Sequence, residues 1–223
     1  MRILQRYVLL YTSSNRIADK SQYQSAMIVP APPDVLQNTS KVQAIWPGMQ
    51  PSSSAAVLQN VLANEGSVLG EWWFIPFYCC MYVSRPSDTI PNAYHLTGLH
   101  CDLPITSKVF PASFSVVKLE TNSEKVYPGD VILSTFTRNP FTGVWLDTWQ
   151  IQPGVIGYAA GQTSLSGNLT FDPSLYTNVG PYTQILLAIE LQGNASWASG
   201  QVLWKDIIIE TEDDGNDTDW CTQ

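Results

Sequence analysis

Three apolar runs decide the fold: Val42-Gln-Ala-Ile-Trp46-Pro-Gly48, Ala56-Val-Leu-Gln59-Asn-Val-Leu62 and Glu71-Trp-Trp-Phe-Ile-Pro-Phe-Tyr78. Each is short and rich in branched or aromatic residues. Turn formers bound the middle run, Ser52 to Ser54 before it and Asn64-Glu65-Gly66 after it, which favours strand over helix. Successive side chains of a strand alternate faces, so Val57, Gln59 and Val61 share one face while Leu58, Asn60 and Leu62 share the other. Gln59 is then either an edge amide bonded to a neighbour or a group displayed on a concave working surface.

Runs of the same kind recur downstream: Ala112 to Glu120, Asp130 to Thr137, Val144 to Ile151, Asn168 to Phe171, Ile185 to Leu191 and Val202 to Glu210. Asn139-Pro-Phe-Thr-Gly143 between two of them is a hairpin turn by composition. No helical window of useful length interrupts the series, which implies an all-β chain folded as an antiparallel two-sheet sandwich. At 223 residues it suits one domain with a sizeable core. We expect the sandwich over residues 42–210, an N-terminal arm or linker over 1–41 and an acidic tail over 211–223. An extended lead strand at Met27-Ile28-Val29 is compatible with that arm.

The order of these pieces also carries a resemblance. Ile45-Trp46-Pro47-Gly48, Ala56-Val57-Leu58-Gln59, Trp72-Trp73 with its aromatic tail, and Tyr127-Pro128-Gly129-Asp130-Val131-Ile132 resemble the fungal glutamic peptidases, or eqolisins. They also resemble the wider set of secreted concanavalin A-like lectin and glucanase sandwiches, a jelly-roll architecture. The resemblance implies a catalytic Gln at Gln59 and a catalytic Glu on the late strand Gln184 to Gln192. An ungapped match of that strand puts Leu186 where the acid belongs, with Glu190 on the same face about 13 Å further along at roughly 3.3 Å per residue. Either the strand slips and Glu190 is the acid, or the dyad is broken; we favour the second.

Charge and sulfur constrain partners and compartment. There are 11 basic against 19 acidic side chains, a formal net charge of -8, and the pI is about 4.5. That balance, without a Lys/Arg cluster, argues against nucleic acid and anionic membrane as partners. No stretch approaches the ~20 apolar residues of a membrane span. Cys79, Cys80, Cys101 and Cys221 are an even set that fits two disulfides in an oxidising compartment. Neighbouring Cys79 and Cys80 point to opposite faces of a strand, so one is expected to reach Cys101 and the other Cys221. Asn38, Asn168, Asn194 and Asn216 head N-glycosylation sequons. Together these features favour a secreted glycoprotein, expected as a monomer. Met1 to Tyr11 is a poor leader, however, because Arg6 breaks its apolar patch and no small-residue cleavage site follows.

His95 and His100 lie in an irregular Pro-rich stretch, Ser84 to Pro111, near Cys101, but without zinc-ligand spacing or a nucleophile motif beside them. No metal and no cofactor is expected. The acidic run Glu210 to Asp219 reads as a solvated end rather than a calcium loop. Among the aromatics, Trp145 and Trp149 share a face with Asp147, and Trp73 shares one with Ile75 and Phe77. Core filling accounts for some of them. The others, with Trp46, are expected to line a groove for an extended peptide or polysaccharide, with Asp147, Gln150 and Gln152 as polar handles. The leading expectation is a binding sandwich with a degenerate dyad. The alternatives are an acid endopeptidase using Gln59 and Glu190, and a glycan-cleaving enzyme pairing Asp147 with Glu190.

Overall fold

The computed structural model describes residues 5–12, 20–32, 42–51, 57–64, 70–83, 116–120, 123–177, 181–192 and 195–211. Among these are the strands β1 (Gln5–Thr12), β2 (Lys20–Ile28), β3 (Val42–Pro51), β4 (Val57–Ala63), β5 (Trp72–Val83), β6 (Val116–Glu120) and β7 (Glu124–Val126). They continue with β8 (Val131–Arg138), β9 (Trp145–Gln152), β10 (Leu165–Phe171), β11 (Tyr176–Thr177), β12 (Tyr182–Gln192) and β13 (Leu203–Thr211). One short helix, α1 (Val155–Ala159), follows β9.

Among the described residues every strand pairing is antiparallel, and the strands fall into two sheets. Sheet A runs β1-β12-β3-β4-β5-β11, with β6 and β7 also on β5, and sheet B runs β10-β9-β8-β2-β13. The all-β two-sheet sandwich expected from the sequence is the observed fold. Sheet B shows the alternation of a sheet with one wet face: in β9, Trp145, Asp147, Trp149 and Ile151 are buried while Leu146 and Gln152 are exposed. Its outer face carries hydroxyls and amides, with Thr135 bonding Gln24 and Thr137 bonding Gln22.

Sheet A differs, because every residue of β4 is buried. Its inward residues Ile45, Met49, Leu58, Leu62, Trp72, Phe74 and Ile185 join Tyr23, Met27, Ile132, Phe136, Trp145 and Trp149 of sheet B in the core. Its outward residues Val42, Ala44, Trp46, Val57, Val61, Ala63, Ile75, Leu186 and Ala188 form a second buried cluster of their own.

The Gly129-Asp130 turn belongs to the scaffold. Gly129 adopts φ +87, a conformation that favours glycine. Fully buried Asp130 accepts from the Tyr127 N–H at 2.8 Å and the Gly154 N–H at 2.7 Å, tying the start of β8 to the end of β9.

The N-terminal segment departs from expectation. Gln5–Thr12 pairs along its length with β12, and Lys20–Ile28 sits inside sheet B between β8 and β13. Both are strands of the sandwich rather than an external arm. Gln22 and Gln24 at the outer positions of β2 and the polar Ser25 within the inward series Tyr23, Ser25, Met27 hide the strand's pattern. The sandwich also extends to Thr211 at its other end.

Gly167 gives a test of the packing. A Cβ there would come within 2.3 Å of Trp149 Cζ2, and the Trp149 ring is held edge-on to Phe74 with centroids 5.2 Å apart. Gly167→Ala is expected to cost about 1–3 kcal/mol in urea denaturation, as overpacked cores do. Unchanged stability would mean that the ring does not pack there.

Candidate functional site

The outer face of sheet A gathers the residues singled out in the sequence. Partners in an antiparallel ladder point to the same face, so the register defines rows of side chains across the sheet. One row runs Leu10, Leu186, Gly48, Gln59, Phe77, Glu120. A second, four residues along β12 and β3, runs Arg6, Glu190, Ala44, Ala63, Trp73, Lys125. Leu10, Arg6, Phe77 and Glu120 are placed by backbone register alone.

Gln59 is 5% exposed and makes no side-chain hydrogen bond among the described residues. Gly48 beside it has no side chain, and a Cβ there would lie 2.7 Å from the Leu58 carbonyl oxygen and 3.2 Å from Gln59 Cβ. The Trp46 ring also closes on that point, with Cε3 at 3.2 Å, and the Cα atoms of Gln59 and Leu186 lie two strands or about 10 Å apart.

Glu190 is 8% exposed. The Trp46 indole N–H donates to its Oε2 at 3.1 Å, a charge-assisted bond that small Ala44 in the same row leaves room for. The register sets Glu190 about 13 Å along the strands from the Gln59 row. Gln59 and Glu190 are therefore on one face but not brought together. Leu186 occupies the in-row place two strands from Gln59.

By backbone register Glu120 is the partner of Phe77 at the end of the Gln59 row, on the opposite side from Leu186. It ends a strand beside a long irregular stretch, where spacing gives no register.

Trp46 and Trp73 belong to the outer face, with the Trp73 indole N–H buried and unbonded. Trp145, Asp147 and Trp149 do not. They lie between the sheets at 2%, 1% and 8% exposure, as core side chains rather than walls of a groove. These rings fill the space between the sheets against Met49, Leu58, Leu62 and Phe74 of sheet A. Trp145 packs edge-on to Tyr182 with centroids 5.3 Å apart. Asp147 meets Asn60 of β4, whose Nδ2 donates to Asp147 Oδ1 at 2.9 Å. Burial pushes the Asp147 carboxyl up to about 7, partly opposed by that hydrogen bond. The expected handles Gln150 and Gln152 point out of sheet B, and Gln152 bonds Gln150. Since Asp147 faces the interior and Glu190 the outer face of sheet A, they form no glycosidase pair.

Cys79 and Cys80 fall within β5, and Cys101 and Cys221 lie outside the described residues, as do His95, His100 and the sequons at Asn38, Asn194 and Asn216. Asn168 is exposed on β10. Among the described residues no cluster of His, Cys, Asp and Glu is arranged to hold a metal, and no helix is long and apolar enough to cross a membrane.

No family profile matches the chain, and no curated protein matches it. Solved structures do. SCP-B, a member of the eqolisin family of peptidases in complex with the tripeptide Ala-Ile-His, superposes with a TM-score of 0.49 at 10% identity, covering 95% of this chain and 82% of that one. Scytalido-glutamic peptidase with a peptide-based transition-state analogue gives 0.45 at 11% identity, again covering 95% and 82%. Such values describe a shared outline and carry no chemistry.

Trp46→Phe keeps the ring but removes the donor to Glu190. It is expected to lower stability by about 1.5–3 kcal/mol, the range for a hydrogen bond to a charged group. Chemical denaturation near neutral pH would read this, and no loss would show that the indole does not hold the carboxylate.

Proposed function

We propose that the outer face of sheet A binds an extended polypeptide without cleaving it. The observation that carries this reading is Leu186 in the row of Gln59, across Gly48. General-base activation of water needs a carboxylate beside the site, and an aliphatic side chain supplies neither charge nor a proton acceptor. What remains is an unbonded amide, Gln59, between aliphatic walls at Val57, Val61, Ile75 and Leu186. An amide suits a peptide group, and small aliphatic walls suit apolar side chains. Sugar rings want exposed aromatic platforms and several polar groups, and two of the tryptophans proposed for that role are in the core. An extracellular location fits the sequons and the cysteine count, and is part of the same proposal.

A second reading has one observation of its own. If the chain is a peptidase, its acid is Glu120, the carboxyl in the Gln59 row, with Gln59 stabilising the oxyanion.

The test is to present an unfolded, carboxymethylated protein to the purified chain between about pH 2 and 7, following binding and cleavage separately. Binding without cleavage is expected, weakened about fivefold in Gln59→Ala, as the loss of ~1 kcal/mol of hydrogen bonding implies. Acid cleavage lost in both Gln59→Ala and Glu120→Gln would replace the first reading by the second. Neither binding nor cleavage by folded protein would remove both.

A further inference from the structure

A buried polar pair spans the interior of the sandwich. Asn60 of β4 is 0% exposed and Asp147 of β9 is 1% exposed. One hydrogen bond joins them, from Asn60 Nδ2 to Asp147 Oδ1 at 2.9 Å. The other oxygen of each group, Asn60 Oδ1 and Asp147 Oδ2, is buried with no partner.

The two unpaired atoms have a common remedy. Both are acceptors when the carboxyl is ionised, so they cannot bond each other. A proton on Asp147 Oδ2 turns it into a donor, and the orphaned amide oxygen of the same partner is an acceptor for it. Acid and amide then close a ring of two hydrogen bonds, N–H to Oδ1 and O–H to Oδ1 of Asn60, with every polar atom of the pair satisfied.

We propose that Asn60 and Asp147 form a proton-operated clasp between the two sheets, closed while Asp147 carries its proton and opened when that proton leaves to solvent. The surroundings leave the carboxyl little other support. Across sheet B, Asp147 stands beside Phe136 and Leu169, and beyond Phe136 is Tyr23, a phenol kept neutral by burial and bonded to Ser25. From sheet A, the inward neighbours of Asn60 on its strand are Leu58 and Leu62. Tyr182 of β12, edge-on to Trp145, is another phenol of this core. No charged side chain of β2, β4, β8, β9 or β10 is buried facing the pair among the described residues. Two other groups of this interior are also unbonded, the Ser134 hydroxyl on β8 and the Trp149 indole N–H, two residues along β9 on the same face as Asp147.

The direction of the pH effect follows. The folded carboxyl titrates at about 7, raised from 3.8 by desolvation. Folded protein thus holds a proton that the unfolded chain has released, and the stabilisation is full below about pH 3.8 and lost as pH rises towards about 7. Above that both states are ionised, and the folded one keeps a buried charge. Since β4 carries Asn60 on one face and Gln59 on the other, an open clasp loosens the strand that holds the outer-face amide. The clasp stands whether or not that amide binds a ligand.

Urea unfolding of the full chain at a series of pH values from about 4 to 9 tests it, with Asp147→Asn alongside. An asparagine at 147 places an N–H where the protonated acid has its O–H, so it mimics the closed clasp at every pH. Wild type is expected to lose stability across this range while Asp147→Asn keeps a flatter profile and is the more stable of the two at the alkaline end. Ser134→Ala is expected to follow wild type. A wild-type profile that does not fall, an Asp147→Asn profile as steep as wild type, or a profile flattened by Ser134→Ala would each overturn the proposal. Should Asp147→Asn fail to fold, infrared spectra of the wild type decide: a protonated-carboxyl stretch at about pH 6 that vanishes by about pH 9 supports the clasp, and its absence at about pH 6 overturns it.

Discussion

The register of β12 on β3 and of β3 on β4 is the constraint on which the rest of this structure depends. Side chains along a strand alternate faces, so a slip of one residue would carry Trp46, Gly48 and Gln59 inward and Ile45, Met49 and Leu58 outward. The inward row forbids it, because Met49, Leu58 and Ile185 fill the core with Tyr23 and Phe136. Polar pins act at the other end: the Asn64 N–H donates to the Gln43 carbonyl at 3.1 Å, and the Gln43 N–H donates to Asn64 Oδ1 at 2.9 Å. Gly48 is the local requirement, since any Cβ at that point would press on the Leu58 carbonyl. A slip of four residues keeps every face and is excluded only by these particular contacts. That is the slip that would bring Glu190 into the row of Gln59.

The two sheets perform different tasks. Sheet B keeps one face wet, with hydroxyl and amide pairs on the outside and large rings on the inside. Sheet A is buried on both, so its outer face can hold an unbonded Gln59 and a carboxylate restrained by an indole in surroundings poor in water. Polar groups in such places are strongly felt. The same is true of Asn60 and Asp147 across the core, where the surplus of acceptors makes one proton decisive. Asp130, by contrast, is buried with two backbone donors and simply fastens a turn.

Much of the fold was legible because β-branched and aromatic runs alternate with Gly, Pro, Asn and Ser along most of the chain. The central and late strands stand within a few residues of where their pattern puts them. The N-terminal strands were not legible: β2 is polar at its wet positions and β1 looks like an imperfect leader, and only pairing partners far along the chain make them strands. The candidate site was half legible. Parity put Glu190 on the face of Leu186, and the register adds that this is the face of Gln59, with Leu186 rather than Glu190 in its row. Parity cannot say which face is inward, so Trp145 and Trp149 were read as groove walls although the sandwich consumes them in its core. Nor can it align strands far apart in sequence, which is why Glu120 in the Gln59 row and Asn60 opposite Asp147 emerge only from the three-dimensional arrangement.

The central claim is a register, and it can be measured without reference to any activity. Cross-strand nuclear Overhauser effects between backbone protons of isotopically labelled protein report which residues stand opposite one another. The account predicts contacts that pair Gly48 with Leu186 on one side and with Gln59 on the other, and Ala44 with Glu190. A contact pairing Gly48 with Glu190 would contradict it, for the glutamate would then share the row of the glutamine and the aliphatic place beside Gln59 would be gone.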